Sequence, residues 1–136
     1  MNKLLLSTLL FSVTLFANEG YNVYKKNCKT CHVEIMSVKD VMANLSKMKA
    51  PPMVEVSSRL KENIKTKDEE DDVDRHLFIL FVKDYIMHPN LDFSMCHAGA
   101  LEKFGTMPSM KGQISPKEAH AVAVWLYDRY EDIEFK

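Results

Sequence analysis

The feature that most constrains this chain is a pair of cysteines, Cys28 and Cys31, with His32 directly after the second. Two thiols three positions apart on a helical turn can each reach one vinyl group of a single porphyrin. The imidazole that follows then projects toward the iron. This residue order is the attachment motif of a c-type haem. It predicts one covalently bound haem c, held by Cys28 and Cys31, with His32 as the proximal iron ligand.

Three other uses of the cysteine pair carry less weight. A thiol–disulfide redox centre is expected in a βαβ context, and no strand pattern of period two is visible in this sequence. Half of a zinc site needs a second pair, and Cys96 with scattered histidines is a poor substitute. A disulfide between Cys28 and Cys31 closes a very small loop and stabilises little.

Residues 1–17 have the pattern of an export signal. Lys3 supplies a positive charge, residues 4–16 form an apolar run broken only by serine and threonine, and Ala17 is a small residue suited to cleavage. We predict a signal peptide over residues 1–17 and a periplasmic mature chain over residues 18–136, without a membrane span. The alternative is a retained anchor, although the run is shorter than the roughly 20 residues that span a bilayer.

The composition fits one small globular domain over residues 18–136. The chain has 136 residues, of which 46% are hydrophobic and 27% are charged, and its 18 basic and 19 acidic side chains leave a net charge of −1. That balance gives no overall electrostatic argument for nucleic acid or an anionic membrane surface. Three cysteines are too few, and odd in number, for a disulfide scaffold. We therefore expect no nucleic-acid partner.

The chain after Ala17 is predicted to be helical, which gives an all-α fold. Helices are expected from about Gly20 into the cysteine pair, from Ser37 to the two prolines at 51–52, over residues 53–64 and over residues 73–88. The second helix should present an apolar face formed by Val41, Met42, Leu45 and Met48. The fourth is apolar nearly all round over residues 77–82, so we expect it to be buried in the core.

The C-terminal third contains a loop and a well-marked helix. Residues 90–114 lack periodicity, so we expect a long loop there, and long loops are often functional. The final helix is predicted to start after Ser115, because Pro116 suits the first helical position and Glu118 completes a capping box. Its apolar face consists of Val122, Trp125, Leu126 and Tyr130.

Both ends of the chain resemble small monohaem c-type cytochromes of class I. Gly20 and Tyr24 are similar to the glycine and the aromatic residue of that family's N-terminal helix, which pack against the last helix. Val122 and Trp125 resemble their partners on the last helix. The resemblance covers residues 20–32 and 104–130 and is weaker between them. It implies a cytochrome c-like helical fold wrapped around one haem.

The segment from Phe104 to Pro108 resembles the part of that family that presents the distal methionine. The resemblance implies that Met107 is the sixth ligand of the iron. Met110 is the first alternative, followed by His97 and Met95. A methionine–histidine pair raises the reduction potential and suits electron transfer.

One departure from the family concerns the residues after His32. Many members carry a Gly-Pro pair there, and the carbonyl of that proline orients the haem histidine. Here Val33 and Glu34 follow instead. The acceptor for the imidazole is therefore left open by the sequence, with Pro51 or Pro52 as the options.

Cys96 needs an interpretation of its own. Residues 93–97 contain the second half of a haem motif, with Phe93 where the first cysteine would stand. A second haem on one thioether, a redox-sensitive thiol and a disulfide-linked dimer through Cys96 are all open. The most ordinary interpretation is a buried, inert thiol, and this is what we expect.

These features predict an electron carrier that passes one electron between transient redox partner proteins. We expect it not to be an enzyme, because no acid–base or nucleophile constellation is present. The alternatives are a haem-based redox or gas sensor with a displaceable distal ligand, and an electron-relay subunit of a larger oxidoreductase. The residues expected to pack around the porphyrin are Tyr24, Leu77, Leu80, Phe81, Trp125 and Leu126.

Overall fold

The computed structural model describes residues 18–67 and 71–136, and the predicted signal peptide lies outside these ranges. Within them the chain forms six α-helices and no β-strand, which confirms the all-α class. The helices are α1 (18–23), α2 (Val38–Asn44), α3 (Met53–Asn63), α4 (Asp71–Met87), α5 (Ala98–Phe104) and α6 (Pro116–Arg129). None of these helices has the length and apolar character needed to cross a bilayer.

Helix α1 leads directly into the cysteine pair. It continues after residue 23 as one π-helical turn, Tyr24–Cys28, a form that is frequent at functional sites. The amides of Cys31 and His32 then both donate to the carbonyl of Cys28, at 3.1 and 2.9 Å. This tight turn presents the two thiols and the imidazole from one short stretch of backbone.

The contact between α1 and α6 follows the sequence prediction. Gly20 lies against the backbone of Ala121 and the side chain of Trp125, with no room for a Cβ atom. The ring of Tyr24 stacks on Trp125 with a centroid separation of 4.7 Å. Both aromatic residues are buried, so this contact joins the first and last helices in the core.

Helix α6 begins as the capping pattern predicts. The hydroxyl of Ser115 accepts from the amide of Glu118 at 3.2 Å, and the Glu118 carboxylate accepts from the amide of Ser115 at 2.8 Å. Pro116 occupies the first turn, where a missing amide hydrogen costs nothing. The predicted apolar face, residues 122–130, contributes Val122, Trp125, Leu126 and Tyr130 to the core.

Helix α4 packs on α6 through one face only. Phe78 is fully buried and meets Tyr127 edge-on at 5.0 Å, while Arg75 donates two hydrogen bonds of 3.0 Å to Asp128. The expectation that α4 is buried all round is wrong. Leu77 and Leu80 are 41% and 45% exposed, and Leu80 lines a second pocket together with His120 and Val124 of α6.

The prediction of a continuous loop over residues 90–114 is also wrong. A 3₁₀ turn, Leu91–Phe93, and helix α5 interrupt it. Helix α5 begins because the His97 side chain accepts from the amide of Gly99 at 3.2 Å, and it ends at Gly105, whose φ is 68°. Histidine is an uncommon cap, so the usual capping pattern did not reveal this short helix.

Helix α2 is shorter and less buried than predicted. Ser37 caps it by accepting from the amide of Asp40 at 3.1 Å, as expected, but the helix gives way to a 3₁₀ turn at Leu45. Of the predicted apolar face only Val41 is buried, and Met42 is 69% exposed. The periodic pattern is present, but the rest of the described chain covers that face only in part.

The glycine at position 20 generates a stability prediction. Gly20→Ala should lower the free energy of unfolding by about 1–3 kcal/mol, because the new methyl group meets rigid backbone and not a flexible side chain. Gly99→Ala is the matched control, since it also lies in a helix but meets only the His97 ring at 3.5 Å. It should be neutral or stabilising by up to about 1 kcal/mol. Urea unfolding of both variants measures the difference, and equal stabilities would contradict the close approach.

Candidate functional site

One cavity brings the predicted site residues together. It has a volume of about 250 Å³, and its walls are mostly apolar. Cys28, Cys31 and His32 line it from the end of α1, and Met107 lines it from the loop between α5 and α6. Cys28 and Met107 therefore line the same cavity, although they lie 79 positions apart in the sequence.

The imidazole of His32 is held in one tautomer by its partner. Its Nδ1 lies 2.7 Å from the carbonyl oxygen of Pro51. A carbonyl oxygen only accepts hydrogen bonds, so Nδ1 must carry the hydrogen and donate it. The lone pair of the neutral ring then lies on Nε2, which is the arrangement of a metal-binding histidine with an outer hydrogen-bond partner. Pro51 is thus the acceptor that the sequence left open.

Pro51 reaches His32 because of how α3 begins. The first amides of a helix have no partner within the helix. In α3 the amides of Met53 and Val54 donate to the carbonyls of Val33 and Glu34, at 2.8 and 3.1 Å. These bonds hold the start of α3 alongside the residues that follow His32, which places the Pro51 carbonyl beside the imidazole.

Side chains from the π-helical turn after α1 and from the end of α6 hold the backbone of residues 32–34 in place. The hydroxyl of Tyr24 donates to the carbonyl of His32 at 2.9 Å, and that of Tyr130 donates to the carbonyl of Glu34 at 3.0 Å. Arg129 also binds the Glu34 carboxylate at 2.9 Å. Burial raises the pKa of Tyr24 to about 12, so this hydroxyl remains a donor at neutral pH.

Burial also sets the protonation of the site. It lowers the pKa of His32 below the ordinary histidine value, although the Pro51 carbonyl acts in the opposite direction. The imidazole is therefore neutral at neutral pH, which is the form that binds a metal. Burial, with Cys31 nearby, raises the pKa of Cys28 to about 11, so this side chain stays a thiol in the folded protein.

The loop that carries Met107 is attached to the end of α4. The hydroxyl of Ser109 donates to the carbonyl of Met87 at 2.6 Å, and the amide of Met110 donates to that of Ile86 at 2.9 Å. These donors satisfy carbonyls in the last turn of α4, which lack partners within the helix. The attachment fixes the loop at the cavity wall.

Four of the predicted distal ligands line the same cavity, but they are not equivalent. They are Met95, His97, Met107 and Met110. The Nδ1 lone pair of His97 accepts from Gly99, so the hydrogen of the neutral ring lies on Nε2 and blocks that nitrogen. Met95 and Met110 pack against the hydrophobic core, whereas Met107 is not part of that packed set. The thioether of Met107 is accordingly the group least committed elsewhere.

The apolar wall differs from the shell that the sequence predicts. Phe81 and Leu126 line the cavity as expected. Tyr24 and Trp125 instead stack on each other in the core, and Leu77 and Leu80 lie on the exposed face of α4. Wall residues that the sequence reasoning missed are Met53, Leu60, Val82, Ile86, Phe104 and Ile114. For those on α3 and α4, helical periodicity predicts a buried face, but it does not distinguish a cavity wall from a packed core. Phe104 and Ile114 lie in the stretch that shows no periodicity.

Cys96 is exposed, and the expectation of a buried thiol is wrong. The 3₁₀ turn and the cap of α5 hold residues 94–97 at the cavity mouth, where Cys96 and His97 both contribute to the lining. All three cysteines are free thiols. In the described ranges, no three or more His, Cys, Asp or Glu side chains are grouped so that they could hold a metal ion.

Comparison with known proteins gives one informative relative. No protein-family model and no solved structure matches the chain. A protein of Aquifex aeolicus (strain VF5), described as uncharacterized, is 37% identical over 146 aligned residues, which cover 97% of this chain and 90% of that protein. The chain belongs to the family of this Aquifex protein. The two proteins share sequence over nearly the whole of both chains, and the description of the relative assigns no activity.

The bond between Tyr24 and His32 generates a second prediction. Tyr24→Phe should lower the free energy of unfolding by about 1 kcal/mol, because the partly buried carbonyl of His32 loses its donor. Tyr21→Phe is the control, since Tyr21 contacts the same Trp125 ring in a tilted arrangement but its hydroxyl donates no hydrogen bond within the described chain. Urea unfolding compares the two variants. An equal loss in both would mean that the hydroxyl of Tyr24 contributes nothing specific.

Proposed function

We propose that this protein is an exported, periplasmic monohaem cytochrome c that carries single electrons between transient redox partner proteins. The observation that supports this most strongly is the environment of His32. Its Nδ1 donates to the Pro51 carbonyl, its Nε2 retains the lone pair, and the side chain lines an apolar cavity with two free thiols. A histidine with this outer partner is typical of an axial haem ligand.

The donor set suits a covalently held porphyrin. Cys28 and Cys31 are unpaired thiols on one helical turn, and Cys28 packs against the hydrophobic core while it lines the cavity. Mostly apolar walls suit an apolar macrocycle such as a porphyrin. The chain would hold its iron through His32 and Met107.

Haem supplies one-electron redox chemistry, and the contribution of the chain is to bind, orient and shield it. The hydrogen bond to Pro51 orients the imidazole of His32, while Phe81 and Leu126 exclude water from the cavity. A thioether opposite a histidine raises the reduction potential. An electron carrier requires no catalytic residue. We prefer this role to that of an enzyme because the residues assigned to the site all bind the haem, which leaves none of them to act as an acid, base or nucleophile.

Export agrees with this assignment. Residues 1–17 carry the signal-peptide pattern, and c-type haem is attached outside the cytoplasm. Covalent attachment suits such a protein, because a dissociable cofactor would be lost to dilute surroundings.

The haem content tests the attachment. Full-length protein produced in a host that matures c-type cytochromes should contain one haem per chain in a pyridine haemochrome assay, with a matching increase in intact mass. Cys28→Ser or Cys31→Ser should remove one thioether bond, while Cys96→Ser, which lies outside the motif, should leave one haem in place. Bare polypeptide would overturn the proposal, and two haems per chain would overturn the monohaem assignment.

The distal ligand has a spectroscopic test. Ferric wild-type protein should show the weak near-infrared charge-transfer band of a methionine–iron bond, and Met107→Ala should abolish this band and lower the reduction potential. Met42→Ala is the control, because Met42 is exposed and lies outside the cavity lining. Loss of the band in Met110→Ala alone would transfer the assignment to Met110. Rapid binding of carbon monoxide by the reduced wild type would instead indicate a sensor with an open or displaceable distal position.

A further inference from the structure

The apolar cavity has a charged stretch on its wall. Glu55 and Arg59 lie one turn apart on α3, and both side chains line the cavity. Lys49, which precedes α3, and His97, which caps α5, line it as well. A carboxylate in such a position is costly unless it is paired, so its presence calls for an explanation.

The carboxylate of Glu55 has no ion-pair partner in the described part of the chain. Arg59 is close enough to influence it, but its guanidinium binds Glu62 at 3.0 Å instead. Glu55 is only partly exposed, whereas Glu62 points away from the cavity and its side chain is 58% exposed. The two glutamates lie on one helix but differ in surroundings: Glu55 lines the cavity without an ion pair, and Glu62 is exposed and paired with Arg59.

The protonation of Glu55 is balanced between opposing influences. Burial raises its pKa above the ordinary glutamate value, and the positive charge of Arg59, with a smaller influence from the nearby His97 ring, acts against that increase. The other charged or titratable side chains on the same cavity wall, apart from the cysteine–histidine motif, are Lys49, Tyr85 and Cys96. The pKa of a carboxyl group in this balance changes when a new charge enters the cavity.

We propose that Glu55 binds one proton when the protein accepts an electron and releases it when the electron leaves. This inference rests on the proposed electron-transfer function and adds a proton site to it. On reduction, one electron comes from the donor protein and one proton from water, and the proton adds to a carboxylate oxygen of Glu55. On oxidation both leave, the electron to the acceptor protein and the proton to water.

The physical reason is electrostatic. Reduction removes one positive charge from the cavity, and a carboxylate that faces a less positive centre holds a proton more tightly. The walls between the two are mostly apolar, so the interaction is screened less than it would be in water. Glu55 is therefore more basic in the reduced protein than in the oxidised protein.

The consequence is a reduction potential that depends on pH. Protonated Glu55 favours the reduced protein, so the potential should be high at low pH and should fall as the pH rises through the titration of Glu55. At the limit of one proton per electron, each pH unit changes the equilibrium constant for reduction tenfold, which is about 59 mV. Burial raises the pKa of this group and moves the window to higher pH, whereas the positive centre of the oxidised protein lowers its acidic limit.

Spectroelectrochemical titration of the full-length holoprotein across this window tests the inference. Wild-type protein should show the falling potential, and Glu55→Gln should show a flat response that stays at the low-pH value of the wild type, because glutamine imitates the neutral acid. Glu62→Gln is the matched control on the same helix, and it should keep the wild-type slope. Haem content and far-ultraviolet circular dichroism confirm that each variant is loaded and folded.

A Glu55→Gln protein that contains haem and keeps the wild-type slope would overturn the proton site but not the electron-transfer function. Wild-type protein without haem would overturn the proposed function itself, so the two failures are distinguishable. If Glu55→Gln yields no holoprotein, Arg59→Gln decides the matter. Removal of this cation should move the window to higher pH, since Arg59 lowers the pKa of Glu55, and an unmoved window would refute the inference.

Discussion

The hydrogen bond from His32 to the Pro51 carbonyl is the interaction on which the site depends. It selects the tautomer of the imidazole and leaves Nε2 as the free nitrogen in the cavity. It exists because the start of α3 donates its unpaired amides to the backbone that follows His32. A helix start thus supplies the acceptor for this imidazole, in place of a proline turn directly after the histidine.

The packing of α1 on α6 supports the same stretch of chain from the other side. Gly20 allows the two helices to approach closely, and the stacked rings of Tyr24 and Trp125 fill the contact. The hydroxyls of Tyr24 and Tyr130 then reach the carbonyls of His32 and Glu34. The aromatic core and the cavity are therefore adjacent but separate. Phe81 and Leu126 line the cavity, whereas Tyr24 and Trp125 do not.

Sequence reasoning predicted the parts of the fold that depend on local chemistry. The capping box at Ser115 and the cap at Ser37 follow from residue types at fixed spacings, whereas the meeting of Gly20 with α6 was implied by the family resemblance. The exposure of Leu77 and Met42 was not predictable, because it depends on which helix faces have neighbours.

At the site itself, the convergence of the cysteine motif and Met107 was expected from the resemblance, and Pro51 or Pro52 was named as the possible acceptor for His32. The sequence could not choose between the two prolines, because the acceptor lies 19 residues away in the chain, beyond the reach of any local pattern. The helix after His97 was missed because histidine rarely caps. The tertiary arrangement also decides that Cys96 is exposed, and no property of a single thiol in a sequence indicates this.

The participation of Tyr130 has a bearing on how the chain is made. Synthesis proceeds from the N-terminus, so the cysteine pair emerges long before the residue that closes the structure around Glu34. In the finished fold Cys28 is a poorly reactive thiol, since burial raises its pKa to about 11. Chemistry at this sulfur is therefore favoured before the last helix has docked and the thiol is buried.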